Sequence, residues 1–165
     1  MVSSPRPVSR DHLQNDGAHL DAVNRQLLSI LAVDARTSTA ELARRVGMSA
    51  PAVRERIDRL EQAGVIRGYR VDIDPAKVGL PVAAWVRVRP GPGQLAKVAD
   101  LAQRSPQVSE CHRVTGDDCF VMTAHVRDVE HLEELIDAFA RYGQTTTAIM
   151  QSSPVPRRGL AMPGG

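Results

Sequence analysis

The stretch STAELARRVGMSAPAVRERIDRLEQAG, Ser38 to Gly64, decides how this chain is read. Ser38 and Glu41 form an S-x-x-E capping box, in which each side chain satisfies an open backbone N–H at the start of a helix. Leu42 and Val46 then mark one apolar side over about two turns. Gly47-Met48-Ser49 follows. The glycine permits a tight turn, and Ser49 caps the next helix, whose first turn tolerates Pro51. Val53, Ile57 and Leu60 recur at i, i+4 and i+7, a buried stripe. Gly64 stands where a left-handed residue ends a helix. Two short amphipathic helices across so tight a turn meet at a steep angle, so the second can project into a DNA major groove.

Reading outward strengthens this. Upstream, Asp21 is an N-cap, and Leu20, Val23, Leu27, Leu28 and Leu31 have helical spacing, so a first helix should run to about Asp34. Downstream, Tyr69, Val71 and Ile73 alternate with Arg70, Asp72 and Asp74, which predicts a strand with one wet face. From Arg44 to Arg70 there are seven arginines against Glu55, Asp58 and Glu61, a net of +4, whereas the whole chain carries only +2. Positive charge concentrated on one short stretch points to a polyanionic partner. Arg54, exposed near the start of the third helix, can pair bidentately with a guanine edge. Arg44, Arg45, Arg56, Arg59, Arg67 and Arg70 are candidates for phosphate contacts, with Ser38, Ser49 and Ala50 on the outward side. The alternatives to DNA binding are ordinary solvated arginines on a three-helix bundle, or a winged helix that serves as a protein–protein module.

Pro75 to Pro81 holds two prolines and a glycine and reads as a linker. Beyond it, strand and helix alternate. Val82–Arg89 is a strand. Leu95, Val98, Ala99 and Leu101 mark a helix. Val108–Thr115 and Cys119–Val126 are strands around a two-residue Gly116-Asp117 turn. Val129, Leu132, Leu135, Ile136 and Phe139 mark another helix, and Thr145–Val155 a last strand. The order β-α-β-β-α-β is the ferredoxin-like arrangement. The fold class is therefore α+β: an N-terminal winged helix-turn-helix joined to a C-terminal ferredoxin-like sandwich. The organisation expected is a disordered arm over 1–18, a reading domain over 19–74, a linker over 75–81, an effector-binding and oligomerisation domain over 82–156, and a flexible tail over 157–165. Two domains of about 60–80 residues bury limited core, and such cores often lean on oligomerisation. A sheet apolar on both faces needs cover on both. Trp85, the only tryptophan, falls away from the side of Val86 and Val88, and a sheet-to-sheet dimer contact near it is expected.

Composition narrows the function classes. Hydrophobic residues make up 42% and aromatics only 3%, so the cores are aliphatic. Two cysteines, Cys111 and Cys119, build no disulfide framework and suit a reducing compartment. A hairpin turning at Gly116-Asp117 would point them to opposite faces. The first residues lack the apolar core of a secretory signal, and no apolar run approaches a membrane span, so a cytoplasmic location without membrane contact is expected. Cys111, His112, Cys119, His125 and His131 match no zinc spacing. No P-loop, G-x-G-x-x-G or G-x-S-x-G is present, so no catalysis, metal or cofactor is expected.

LDAVNRQLLSIL (residues 20–31) followed by STAELARRVGMSAPAVRERIDRLEQAGVIRGYRVDIDPAKVG (38–79) resembles the N-terminal half of the Lrp/AsnC transcriptional regulators. VTGDDCFV (114–121) and YGQTTTAIMQSSPV (142–155) resemble its C-terminal regulatory half, the RAM domain. The likeness spans roughly residues 20–156. It implies a winged helix-turn-helix that binds double-stranded DNA, with Ser49 to Arg59 as recognition helix and Ser49, Ala50, Pro51 and Arg54 at its DNA-facing end. It also implies homodimers that assemble into tetramers or octamers, and an amino-acid-like effector held between C-terminal domains. The effector loop maps to Gly116, Asp117, Asp118 and Cys119, and the last strand contributes Thr145, Thr146 and Thr147. Two residues depart from the family's pattern. Asn24 stands where Asp is usual, and Cys119 where many members carry Asp; a thiol holds an ammonium group less well than a carboxylate. The function expected is a sequence-specific DNA-binding transcriptional regulator whose assembly or DNA affinity responds to a small metabolite. A sensing or assembly module acting on a protein partner and an effector-free architectural DNA binder remain the alternatives.

Overall fold

The computed structural model describes residues 20–156 and 158–160. The arm expected over 1–18 lies outside the described residues, as does the tail expected over 157–165 apart from 158–160. The described residues form two compact units, one of residues 20–71 with 155–156 and 158–160 and one of residues 72–154.

The first unit holds three helices: α1 (Ala22–Val33), α2 (Thr39–Val46) and α3 (Ala50–Gln62). Each begins where a side chain can take an open N–H. Asp21 Oδ1 accepts from Asn24 N at 2.7 Å, Ser38 Oγ from Glu41 N at 3.2 Å, and Ser49 Oγ from Ala52 N at 3.4 Å. The capping box is met on the Ser38 side. The Glu41 carboxylate turns instead to Arg44 and Arg45, one turn on, whose charge outbids a neutral N–H. Gly47 at φ 68° is the left-handed residue that lets the chain leave α2 and enter α3 within three residues. Leu27, Leu42, Ala43 and Val53 form the shared core, with Ile57 packed against it.

The segment Tyr69 to Asp74 is a correction. It has a strand's alternation but forms no strand, and Val71 is 83% exposed. A strand needs a neighbour for its backbone groups, and no segment of this chain pairs with it among the described residues. The linker closes as a single 3-10 turn, Pro75–Val78.

The second unit is a four-stranded antiparallel sheet in the order β2-β3-β1-β4, formed by β1 (Val82–Pro90), β2 (Val108–Arg113), β3 (Phe120–Val126) and β4 (Gly143–Ile149), with helices α4 (Leu95–Arg104) and α5 (Val129–Ala140). Period-2 alternation sorts its faces. Ala84, Val86 and Val88 of β1 and Phe120, Met122, Ala124 and Val126 of β3 are buried with Val98, Ala102, Leu132, Leu135 and Phe139 of the helices. Trp85, Arg87 and Arg89 take the opposite face of β1, and Trp85 is 50% exposed there.

Three local expectations give way. The hairpin is centred on Gly116 and Asp117, since Arg113 pairs Phe120, but the strands end there; one further backbone bond, Val114 N to Cys119 O at 2.9 Å, closes a six-residue loop, 114–119, rather than a two-residue turn. The last strand ends at Ile149, not Val155. One further backbone bond, Met150 N to Ala83 O at 2.8 Å, follows, and β1 begins at Val82, so it offers no strand residue for the segment past 151. Cys111 and Cys119 do not part to opposite faces. Both are free and half-buried against the same core, because Cys119 precedes β3 and escapes its pleat.

Candidate nucleic-acid interface

The sequence-predicted cations of the first unit divide by what surrounds them. Arg44 and Arg45 share the Glu41 carboxylate, at 2.7 and 2.6 Å. Hydrogen bonds from Arg45 first, and Arg44 second, hold the Glu41 carboxyl below its ordinary value. Arg59 pairs with Glu55 one turn away. These are exposed pairs that a phosphate can exchange for at small cost. Arg56 is a different case. Its Nη1 reaches back to Asp21 Oδ2 at 2.6 Å and Asn24 Oδ1 at 3.0 Å, clamping α3 to the start of α1. The Asn24 backbone donor first, and Arg56 second, hold the Asp21 carboxyl below 3.8. Arg56, expected among the phosphate contacts, is therefore committed within its own unit. Arg54, Arg67 and Arg70 carry no ion pair among the described residues and are exposed. Ser38 and Ser49 spend their hydroxyls on caps, so their side chains set helix ends while staying at the surface. Pro51 is exposed and Ala50 is half-buried against the core.

Two residues were not singled out from the sequence. Glu55 is exposed on the outer side of α3, half a turn from the buried stripe. Tyr69 donates its hydroxyl to Glu61 Oε1 at 2.8 Å, which ties the chain after α3 to that helix. Burial first, then the Glu61 carboxylate, pushes its pKa up to about 12. The alternation of Tyr69 suggested a strand; only tertiary placement reveals the tether.

In the second unit the loop 114–119 is anchored by Arg89, whose Nη2 meets Asp117 Oδ2 at 3.1 Å and whose Nε lies 3.8 Å from Asp118 Oδ1. Gly116 has φ 110°, a conformation that suits glycine. Cys119 Sγ sits 3.7 Å from the carbonyls of Gly116 and Asp117, a sulfur folded back on its own loop. The three threonines do not act together. Thr145 and Thr147 pair with Val88 and Val86 and share their buried face, whereas Thr146 pairs with Arg87 on the open face. Alternation forbids a common side for three consecutive strand residues.

Residues 20–61 match the family model described as the AsnC-type helix-turn-helix domain, and residues 82–160 match the Lrp/AsnC ligand binding domain. The HTH-type transcriptional regulator LrpA of Mycobacterium tuberculosis is 36% identical over 118 residues, covering 71% of this chain and 79% of that protein. This chain belongs to the Lrp/AsnC family of transcriptional regulators. The regulator LrpC of Bacillus subtilis is 29% identical over 140 residues, 85% of this chain and 97% of that one. Its solved structure overlays with a TM-score of 0.79 over 83% of this chain and 98% of that chain. The feast or famine regulatory protein of M. tuberculosis, solved with L-methionine, overlays with a TM-score of 0.81 at 31% identity, covering 87% of this chain and 99% of that chain. The helix-turn-helix followed by an antiparallel sheet with two helices is thus the family's fold, and the chain is a transcriptional regulator with a DNA-binding and a ligand-binding domain. Among the described residues no helix is long and apolar enough to cross a membrane.

Proposed function

We propose that this regulator reads promoter DNA in the cytoplasm through the start of α3 and changes its grip when an amino-acid-like metabolite binds beside the loop 114–119. The observation that carries the DNA half is the contrast along α3 and its continuation. Arg54, Arg67 and Arg70 are exposed without an acidic partner among the described residues, while Arg56 locks the helix in place. A rigidly held helix with uncommitted cations suits phosphate and base contacts. Arg54 is the base-reading residue. Arg44, Arg45, Arg59, Arg67 and Arg70 face phosphates, with Ser38, Ser49, Ala50 and Pro51 beside them. In this reading the DNA-binding domain spans 19–74 and the effector and oligomerisation domain 82–156, joined by 75–81.

The effector half rests on Asp117, Asp118 and Arg89, a polar cluster of both signs, and on a relative solved with L-methionine. Thr146, beside Arg87, is the threonine on the open face. The protein works as a dimer or a higher assembly. The open sheet face with Trp85 covers a second copy, and the unpaired alternating segment Tyr69 to Ile73 finds its strand partner there. An effector shifts such an assembly only if it prefers one arrangement of dimers over another.

The test is binding to the DNA upstream of the protein's own gene at two salt concentrations, with Arg54→Glu as the variant. Affinity should fall steeply with salt, with a log–log slope of about −0.9 per phosphate neutralised, and should collapse in the variant. Binding indifferent to both would make the first unit a protein-docking surface. A thermal-shift screen of amino acids, with Cys119→Asp as comparison, tests the effector. The absence of any stabilising compound would leave an architectural DNA binder.

A further inference from the structure

The first unit contains a recess of about 220 Å³ between the end of α1, the start of α2 and the flank of α3. Its apolar lining is Leu31, Ala35, Leu42 and Ile57. Arg54 and Asp58 line the same space, together with Tyr69, Thr37 and Thr39. Arg54 and Asp58 stand one turn apart on α3 with the cation first, the order that pairs less readily than its reverse, and neither has an ion pair among the described residues. Arg44, Arg45, Arg56 and Arg59 of the same unit all have one. Thr37 Oγ1 donates its proton to Asp34 O at 2.8 Å, which leaves the hydroxyl oxygen as an acceptor. Asp58 is close enough to Tyr69 for its negative charge to disfavour the phenolate.

We propose that this recess binds a small zwitterion with an apolar tail: carboxylate on Arg54, ammonium on Asp58 and the Thr37 hydroxyl, tail against Leu31, Leu42 and Ile57. Size favours a ligand of a few carbons, since drug-sized molecules occupy pockets of about 300–1,000 Å³. This site is separate from the loop 114–119 and stands whether or not that loop binds anything. Its consequence rests on the DNA reading of α3. A carboxylate on Arg54 withdraws that cation from the duplex, so ligand and DNA weaken each other's binding by the same factor.

The experiment uses the full chain carrying Asp117→Asn and Asp118→Asn, which silences the loop, and titrates it calorimetrically with L-leucine. 4-Methylpentanoate, which lacks the ammonium, and 3-methylbutylamine, which lacks the carboxylate, are the controls. L-leucine should bind, each half-molecule at least tenfold more weakly, and Asp58→Asn should reduce L-leucine affinity at least tenfold (about 1.4 kcal/mol). Asp58 is exposed, so its substitution does not threaten the fold; circular dichroism melting verifies that. No heat with L-leucine, or an affinity unchanged by Asp58→Asn, overturns the site. A DNA affinity that ignores saturating L-leucine overturns the coupling. The DNA reading itself fails on the ligand-free chain alone, if that chain does not bind DNA or binds it with no dependence on salt and Arg54.

Discussion

Two positions separate Arg54 from Arg56, and a rotation of about 200° about the helix axis puts them on opposite flanks of α3. Arg56 finds Asp21 and Asn24; Arg54 faces the recess beside Tyr69. Both read alike in the sequence, since spacing says which side of a helix a residue takes but not what waits there. The Asp21 clamp has a pH signature. Its carboxyl titrates below 3.8, so its contribution to stability is present above that ordinary value and is lost as pH falls through the lowered one. Asp21→Asn should therefore match the parent protein's stability at the acid end and fall short of it above about pH 4, in urea melts recorded across pH. Ser49 gives a second test. Its hydroxyl is the cap of α3, and Ser49→Ala should cost about 1 kcal/mol in urea unfolding.

At the scale of elements, the turn between α2 and α3 holds the reading helix by one backbone conformation. Gly47 sits at φ 68° with nothing within 4 Å of where a Cβ would be, so a side chain there is opposed by strain and not by collision. Gly47→Ala should cost about 1 kcal/mol of stability, read as a lower midpoint, with a loss of DNA affinity as α3 shifts. An unchanged midpoint would mean the turn relaxes elsewhere. Elements whose signals are local were legible: α1, α2 and α3 begin at the caps read from Asp21, Ser38 and Ser49. Those that need a partner were not. Tyr69, Val71 and Ile73 alternate as a strand should, and Thr145–Val155 looked longer than β4, because alternation records which side of a segment is apolar and not whether a neighbouring backbone is available.

At the scale of the molecule and its copies, one face of the sheet in the second unit carries no helix. Helices cover the side of Val86, Val88 and Met122; the other side carries Trp85, Arg87 and Thr146 to the surface. A large exposed aromatic on a sheet face is the anchor an interface uses. Trp85→Glu should weaken self-association, measured by sedimentation at several concentrations, while leaving the chain folded by circular dichroism. An unchanged association constant would move the dimer contact elsewhere. DNA affinity should fall with assembly, because a single reading helix touches few bases and a dimer presents two.

Helix positions, their caps, the turn at Gly47, the succession of strands and helices along the second half and the centre of its hairpin followed from residues within a few positions of one another. Each depends on interactions that reach only i+2 to i+4, and these are written in the residue order itself. Which arginine is committed, which strand finds a ladder and which side of β4 each threonine faces were decided by contacts across long separations. The Arg56–Asp21 pair spans 35 residues, and the grip of Arg89 on Asp117 spans 28. Such pairings exist only once the chain has closed on itself, because any of several arginines could satisfy the same acid until packing brings one of them near.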